Sequence, residues 1–394
     1  MKNRLILSCL CVIFATSFKN LKAQNMTENI QPPVAKKIPT KLEKFGDVRI
    51  DNYFWLKDRE NPEVIDYLNK ENEYYQKMTA HTQEFQKELF EEMKARIKED
   101  DESVPYLYNG YFYITRFEKG KDYPIYSRKK GSLSAKEEIM FDCNELDKGK
   151  KYFNLSGLSV SADNQFVTYA VDTVGRRIYT LRFKNLFTGE FLADKIENTT
   201  GNSTWANDNK TIFYTKQDAN TLRSDTVLKH ILGTETALDK LIYFEKDDTF
   251  DVAVGKEKSK KYILISSSST LTSEFRTLLA DKPEGKFTIF QKRKRGLEYN
   301  ISHYGDSFYI VTNKDKATNF KLMKTPELAT AMENWQDVLE HREDVLLEDI
   351  DIFKDFLVVS ERSNGLNKIR IMPWSGVGEY YLPFESETYT VHPT

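Results

Sequence analysis

Cysteine, histidine and long apolar runs are all scarce in this chain of 394 residues. Three cysteines (Cys9, Cys11, Cys143) and five histidines (His81, His230, His303, His341, His392) offer no zinc-ligand spacing. The histidines are scattered, without an H-E-x-x-H pair or a clustered carboxylate partner in sequence, so each reads as a surface or packing residue. Eleven prolines and 17 glycines are too few for a low-complexity chain. Neither sign of charge dominates. The 58 basic and 60 acidic residues interleave to a net charge of −2, which excludes the positive field of a nucleic-acid binder. The densest basic run, Lys292-Arg-Lys-Arg295, reads as a solvated strand end rather than a polyanion site.

Motifs of catalysis are also missing. A G-x-S-x-G nucleophile elbow is absent, and the near misses place Ser159, Ser307 and Ser375 at strand edges. The elbow instead needs a strand-to-helix turn to present its hydroxyl. Gly255-Lys256-Glu-Lys-Ser lacks the second glycine and the spacer of a phosphate-binding loop. Glu245-Lys-Asp-Asp-Thr-Phe-Asp251 could hold a cation, but a polar turn between strands is the plainer reading. No catalytic, cofactor-binding or metal-binding residue is therefore assigned, and no cofactor is expected.

Only one apolar run is long. Leu5 to Phe18 follows Lys2 and Arg4 and precedes Leu21-Lys22-Ala23, which reads as a signal peptide over residues 1–23. No other segment approaches the length of a transmembrane helix. Export implies a periplasmic or secreted protein with no membrane attachment after signal removal. Cleavage would take four basic residues and no acids, shifting the charge from −2 to −6. Cys143 would then be the sole cysteine, unable to form an internal disulfide and expected to be a small buried hydrophobe.

Residues 24–45, with Pro32, Pro33 and Pro39, read as an extended arm. Within the segment 24–100, Asn61 caps and Pro62 opens a first helix carrying Val64, Ile65, Leu68, Tyr75 and Met78 at helical spacing. A second helix from about Thr82 carries Phe85, Leu89, Met93 and Ile97 on one stripe. Both stripes call for a partner surface, since a lone helical hairpin buries too little.

From residue 101 to 394 the pattern is β. Turn-plus-strand units begin at Asn109, Asn164, Asn209, Lys260, Asp306 and Asp355, in steps of 55, 45, 51, 46 and 49 residues. That period is the size of a four-stranded propeller blade, so about six blades are expected. One repeat parses as strands over 158–161, 166–171, 177–185 and 190–195; another as 349–353, 356–361, 368–372 and 379–382. Their central strands are apolar on both faces, as strands covered by neighbouring sheets would be.

Longer segments resemble a known family. Asp51-Asn-Tyr-Phe-Trp-Leu-Lys-Asp58, Asn61-Pro-Glu-Val64 and Tyr67-Leu-Asn-Lys-Glu-Asn72 are similar to the N-terminal signature of the prolyl oligopeptidase family of serine peptidases. Lys121-Asp-Tyr-Pro-Ile-Tyr126, Val171-Asp-Thr-Val-Gly-Arg-Arg-Ile-Tyr179, Lys246-Asp-Asp-Thr-Phe250 and Ser360-Glu-Arg-Ser-Asn-Gly365 resemble its oligopeptidase B branch. The resemblance covers residues 35 to 394. It implies a seven-bladed propeller that restricts an α/β-hydrolase domain to short peptides, with cleavage after Arg or Lys in that branch.

In such enzymes the catalytic Ser, Asp and His lie in the hydrolase domain, and no position here matches one of them. The sequence stops where the family would begin its seventh blade. The expectation is therefore the N-terminal part of such a peptidase, inactive alone, with peptides and possibly a hydrolase domain in trans as partners. The alternative is an exported propeller that binds peptides or a protein without catalysis.

Overall fold

The computed structural model describes residues 30–393, so the signal-peptide reading lies outside the described residues. The chain divides into two compact units, one ending at Lys98 and one running from Glu99.

The first unit opens with a hairpin, Thr40–Lys44 paired with Asp47–Asp51 across the positive-φ turn Phe45-Gly46. Its first strand corrects the reading of 24–45 as extended arm throughout: Lys41, Leu42 and Glu43 pair with Ile50, Arg49 and Val48. Helix α1 spans Pro62–Thr79, and the Asn61 side chain accepts from the Glu63 amide at 2.9 Å, filling a donor that the first turn cannot satisfy. Helix α2 spans Gln83–Ala95 after a 3₁₀ turn at Ala80–Thr82. Val64 is buried, but the rest of both stripes faces outward: Phe85 is 63% exposed and Met93 53%.

In the second unit every sheet is antiparallel, and its strands follow in sequence order except in blade 1, where two short strands pair with the same edge of a third. Blade 1 holds Tyr106–Tyr108, Tyr111–Phe117, Ile125–Lys130 and Glu137–Asp142, with Asp101–Glu102 added alongside. Blade 2 begins with Asn154–Val160, Phe166–Asp172 and Tyr179–Asn185. Blade 3 ends with Thr211–Gln217, Ser224–Ile231 and Lys240–Phe244.

Between blades 2 and 3 runs one continuous strand, Phe191–Trp205, which corrects the expected end at residue 195. Its first part pairs with blade 2 and its second with blade 3, so seven strands form one sheet. Asn198 and Gly201 at positive φ bend it, and the polar stretch around them hides a strand as if it were a loop.

Blade 4 holds Asp251–Lys256, Tyr262–Ser269, Thr272–Leu279 and Thr288–Ile289. Blade 5 holds Tyr299–Tyr304, Ser307–Thr312, Lys321–Pro326 and Gln336–Leu339. Blade 6 holds Leu346–Ile352, Phe356–Ser363, Leu366–Pro373 and Tyr380–Tyr381.

The apolar core is distributed between the sheets. Cys143, Phe141 and Tyr169 join blades 1 and 2; Phe183 and Trp205 join 2 and 3; Phe213 and Ile263 join 3 and 4. Tyr262 and Phe308 join blades 4 and 5, while Leu322 and Leu357 join 5 and 6. The central strands of blades 2 to 5 are thus covered on both faces, as their apolar runs require. Cys143 sits in this packing, and burial pushes its thiol up to about 12, so it behaves as an inert hydrophobe.

Candidate functional site

The turns between first and second strands of successive blades touch one another. Asn109, Asn164, Asn209 and Lys260 each take positive φ there, a conformation Asn tolerates because its short amide bonds locally. The Asn109 amide donates to Ala162 O at 2.7 Å, and the Asn164 amide donates back to Asn109 O at 3.1 Å. Asp163 N donates to Asn209 Oδ1 at 3.0 Å, and the Asn207 amide donates to Lys260 O at 3.0 Å. Tyr304 in blade 5 donates its hydroxyl at 2.7 Å to Lys354 O, in the turn between the first two strands of blade 6.

The blade 4 turn does more than meet its neighbours. Lys258 Nζ lies 3.6 Å from Asp351 Oδ1 and 3.9 Å above the Phe353 ring, both in or beside blade 6. Lys260 Nζ donates to Asn109 Oδ1 at 3.2 Å and lies 4.9 Å from the Tyr108 ring, in blade 1. Two lysines of one turn therefore bridge to the first and last blades. This is the segment that fails as a phosphate-binding loop.

A polar clamp anchors the turn to blade 5. His303 N donates to Glu257 Oε2 at 2.8 Å, while the His303 ring lies between Ser259 Oγ (3.0 Å from Nδ1) and Glu327 Oε2 (2.9 Å from Nε2). Burial lowers the His303 imidazole pKa, favouring the neutral ring. Lys261 Nζ binds both oxygens of Glu327, at 2.7 and 2.6 Å, and holds that carboxyl below its ordinary range. Hydroxyl, imidazole and carboxylate stand in a line, but the ammonium of Lys261 neutralises the acid that would otherwise strengthen the base. The line acts as a clamp rather than as an activated nucleophile.

Two neighbours share this stress. Burial raises Glu257 to about 7, and burial followed by Lys260 lowers Lys256 to about 8.

Several sequence readings take a definite place. Ser159 lies on the first strand of blade 2, where its carbonyl accepts from Trp205 Nε1 at 2.8 Å. The glycine of that near miss, Gly157, has a packing role: a Cβ on it would sit 2.1 Å from Gly201 O. Ser307 donates to Asp306 at 3.1 Å, and Ser375 accepts from Val377 N at 3.4 Å.

The histidines are less isolated than their spacing implies. His230 is fully buried, with Asp239 2.7 Å from Nδ1 and Asp194 3.1 Å from Nε2. These carboxylates engage opposite ring nitrogens and do not converge on a point; among the described residues no group is arranged to hold a metal ion. In the basic run, Arg293 turns inward. It donates to Glu245 Oε2 at 2.5 Å and lies 3.7 Å over Phe250, correcting its reading as solvated. Burial opposes ionisation of Glu245, yet Arg293, Ser267 and Tyr243 hold it down to about 2. The acidic stretch around it is a bonded turn.

The family model described as "Prolyl oligopeptidase, N-terminal beta-propeller domain" matches residues 32–392. Dipeptidyl aminopeptidase BI of Pseudoxanthomonas mexicana is 40% identical across 98% of this chain and 55% of its own length. Protease 2 of Moraxella lacunata is 35% identical across 86% of this chain and 50% of its own. Oligopeptidase B from Leishmania major superposes with a TM-score of 0.85 at 31% identity, over 92% of this chain and 55% of that one. The chain spans about half the length of the curated relatives it matches.

Proposed function

This chain belongs to the prolyl oligopeptidase family, whose N-terminal propeller domain it carries, and from that premise we propose that it is the access-limiting part of an oligopeptidase B-like serine peptidase. The substrates are short peptides cut after Arg or Lys by a hydrolase part. The propeller restricts entry, and this chain alone is inactive. The observation carrying this reading is the blade 4 turn, whose Lys258 and Lys260 bridge to the first and last blades. Such lysine contacts are each worth about 0–1 kcal/mol, weak enough to open and re-form. A clamp fixes the turn at its base while its tips remain free to release.

Two assays test this. The purified chain should leave Arg- and Lys-containing reporters uncut; turnover that survives removal of contaminating proteases would overturn its inactivity. Joined to a relative's hydrolase part, a Lys258→Ala/Lys260→Ala double variant should cut longer peptides faster and dipeptide reporters unchanged. An unaltered size preference would overturn the gating role.

The 40% identity to a dipeptidyl aminopeptidase favours a second reading, release of dipeptides from free N-termini. Blocked and unblocked reporters in the same assembled enzyme separate the two. Peptide binding without turnover there would favour the non-catalytic exported propeller. Export itself rests on Lys2, Arg4 and the Leu5–Phe18 run. The mature mass should correspond to cleavage near Ala23, and a protein found intact in the cytoplasm would end that proposal.

A further inference from the structure

We propose that the cavity between blades 1 and 2 is a binding site for an uncharged aromatic residue presented with its peptide carbonyl. The cavity has a volume of about 300 Å³. That is at the lower end of the range for small-ligand sites, on the order of 300–1,000 Å³, and suits one ring with an amide. Tyr106, Tyr108, Tyr113 and Tyr126 line it together with Met140 and Leu158, and none of its lining side chains is charged. Moving a full charge into such a wall is costly, so a neutral ligand is selected.

One group in the wall asks for an acceptor. Tyr113 is 7% exposed and lines the cavity beside its cross-strand neighbour Arg128, and its hydroxyl hydrogen has no acceptor among the described residues. Burial pushes the Tyr113 phenol up to about 12, so it stays protonated and can donate. Buried donors are ordinarily satisfied, and an exception points to a missing partner. A carbonyl oxygen supplies one.

The aromatic preference comes from the wall itself. Tyr106 stacks on Tyr113 with ring centroids 5.3 Å apart and planes 18° from parallel. Tyr106 is 60% exposed, so it stands at the mouth and can offer an edge or a face to an entering ring. Tyr108, also at the mouth, is the residue beneath Lys260, so the opening borders the bridging turn. The inference stands on the cavity and does not depend on the gating reading.

The experiment is a ligand-observed NMR titration of the 394-residue chain with N-acetyl-L-phenylalaninamide. N-acetylglycinamide and N-acetyl-L-argininamide serve as probes without a ring and with a charge. Saturable binding with Kd on the order of 1 mM is expected for the aromatic amide alone, given its size. Tyr113→Phe should weaken it about fivefold by removing one donor. Leu158→Trp should fill the cavity and abolish binding. Tyr106→Ala, at an exposed position that does not threaten folding, should also weaken it. No saturable binding by the folded chain would overturn the site. Equal binding of the glycine or arginine amide, or binding unchanged in Tyr106→Ala, would overturn the assignment of its ligand.

Discussion

The blades and the helices of this chain use apolar residues in opposite ways. In the blades, Phe183, Ile263, Phe308 and Leu322 are fully covered by adjacent sheets. In α1 and α2, Ile65, Leu68, Tyr75, Phe85, Phe90 and Met93 are all well exposed. The period-2 code of the strands finds its cover one blade away, whereas the helical stripes leave much of theirs open. Equal hydrophobicity thus carries different information: stability in one region, and a demand for a partner in the other.

That contrast can be broken by substitution. Phe308→Ala should have the largest effect, about 3–5 kcal/mol, because it empties a site between blades 4 and 5 among Phe290, Tyr262 and His303. Denaturant unfolding measures it. Gly157→Ala should cost about 3 kcal/mol, because φ is +63° and the added carbon meets backbone Gly201 O. If the variant unfolds like the parent, the close approach has been misread.

Glu257 gives an intermediate effect with a defined sign. Its carboxyl is raised from the ordinary 4.5 to about 7 in the folded chain. Below about pH 4 both folded and unfolded forms hold the proton. As pH rises from about 4.5 to about 7 the unfolded chain releases it first, so stability falls. Glu257→Gln should flatten that dependence and gain on the order of 2 kcal/mol at about pH 8. Parallel unfolding curves at about pH 4 and about pH 8 decide it; an unchanged slope would remove Glu257 from the account.

Phe85→Ser with Met93→Ser should change stability least, within about 0.5 kcal/mol, since neither residue is buried. The same pair should reduce self-association of the purified chain, measured by sedimentation. A large loss of stability would mean the helical stripe is covered after all.

Much of the fold was legible because the blade period recurs with its turn chemistry: Asn109, Asn164, Asn209 and Lys260 mark both the repeats and the positive-φ turns. The N-cap at Asn61 was legible too, being local. The strand through residues 196–205 was not, because Glu197, Asn198, Thr199 and Thr200 spell a loop until two sheets claim them. The clamp was invisible for another reason. Ser259, His303 and Glu327 belong to separate strands or turns, and nothing in their spacing along the chain shows that adjacent blades bring them together. The same holds for His230 between Asp194 and Asp239.

The unbroken strand Phe191–Trp205 also has a mechanical meaning. Most neighbouring blades are joined by side-chain packing and a loop, so one can peel away while the next keeps its ladder intact. Blades 2 and 3 share a backbone ladder and must melt together, as a single cooperative block inside an otherwise one-dimensional array. Fraying that starts at either outer blade would reach this block as a barrier. This block, rather than the ends of the array, then governs how long its amide protons survive in deuterated water.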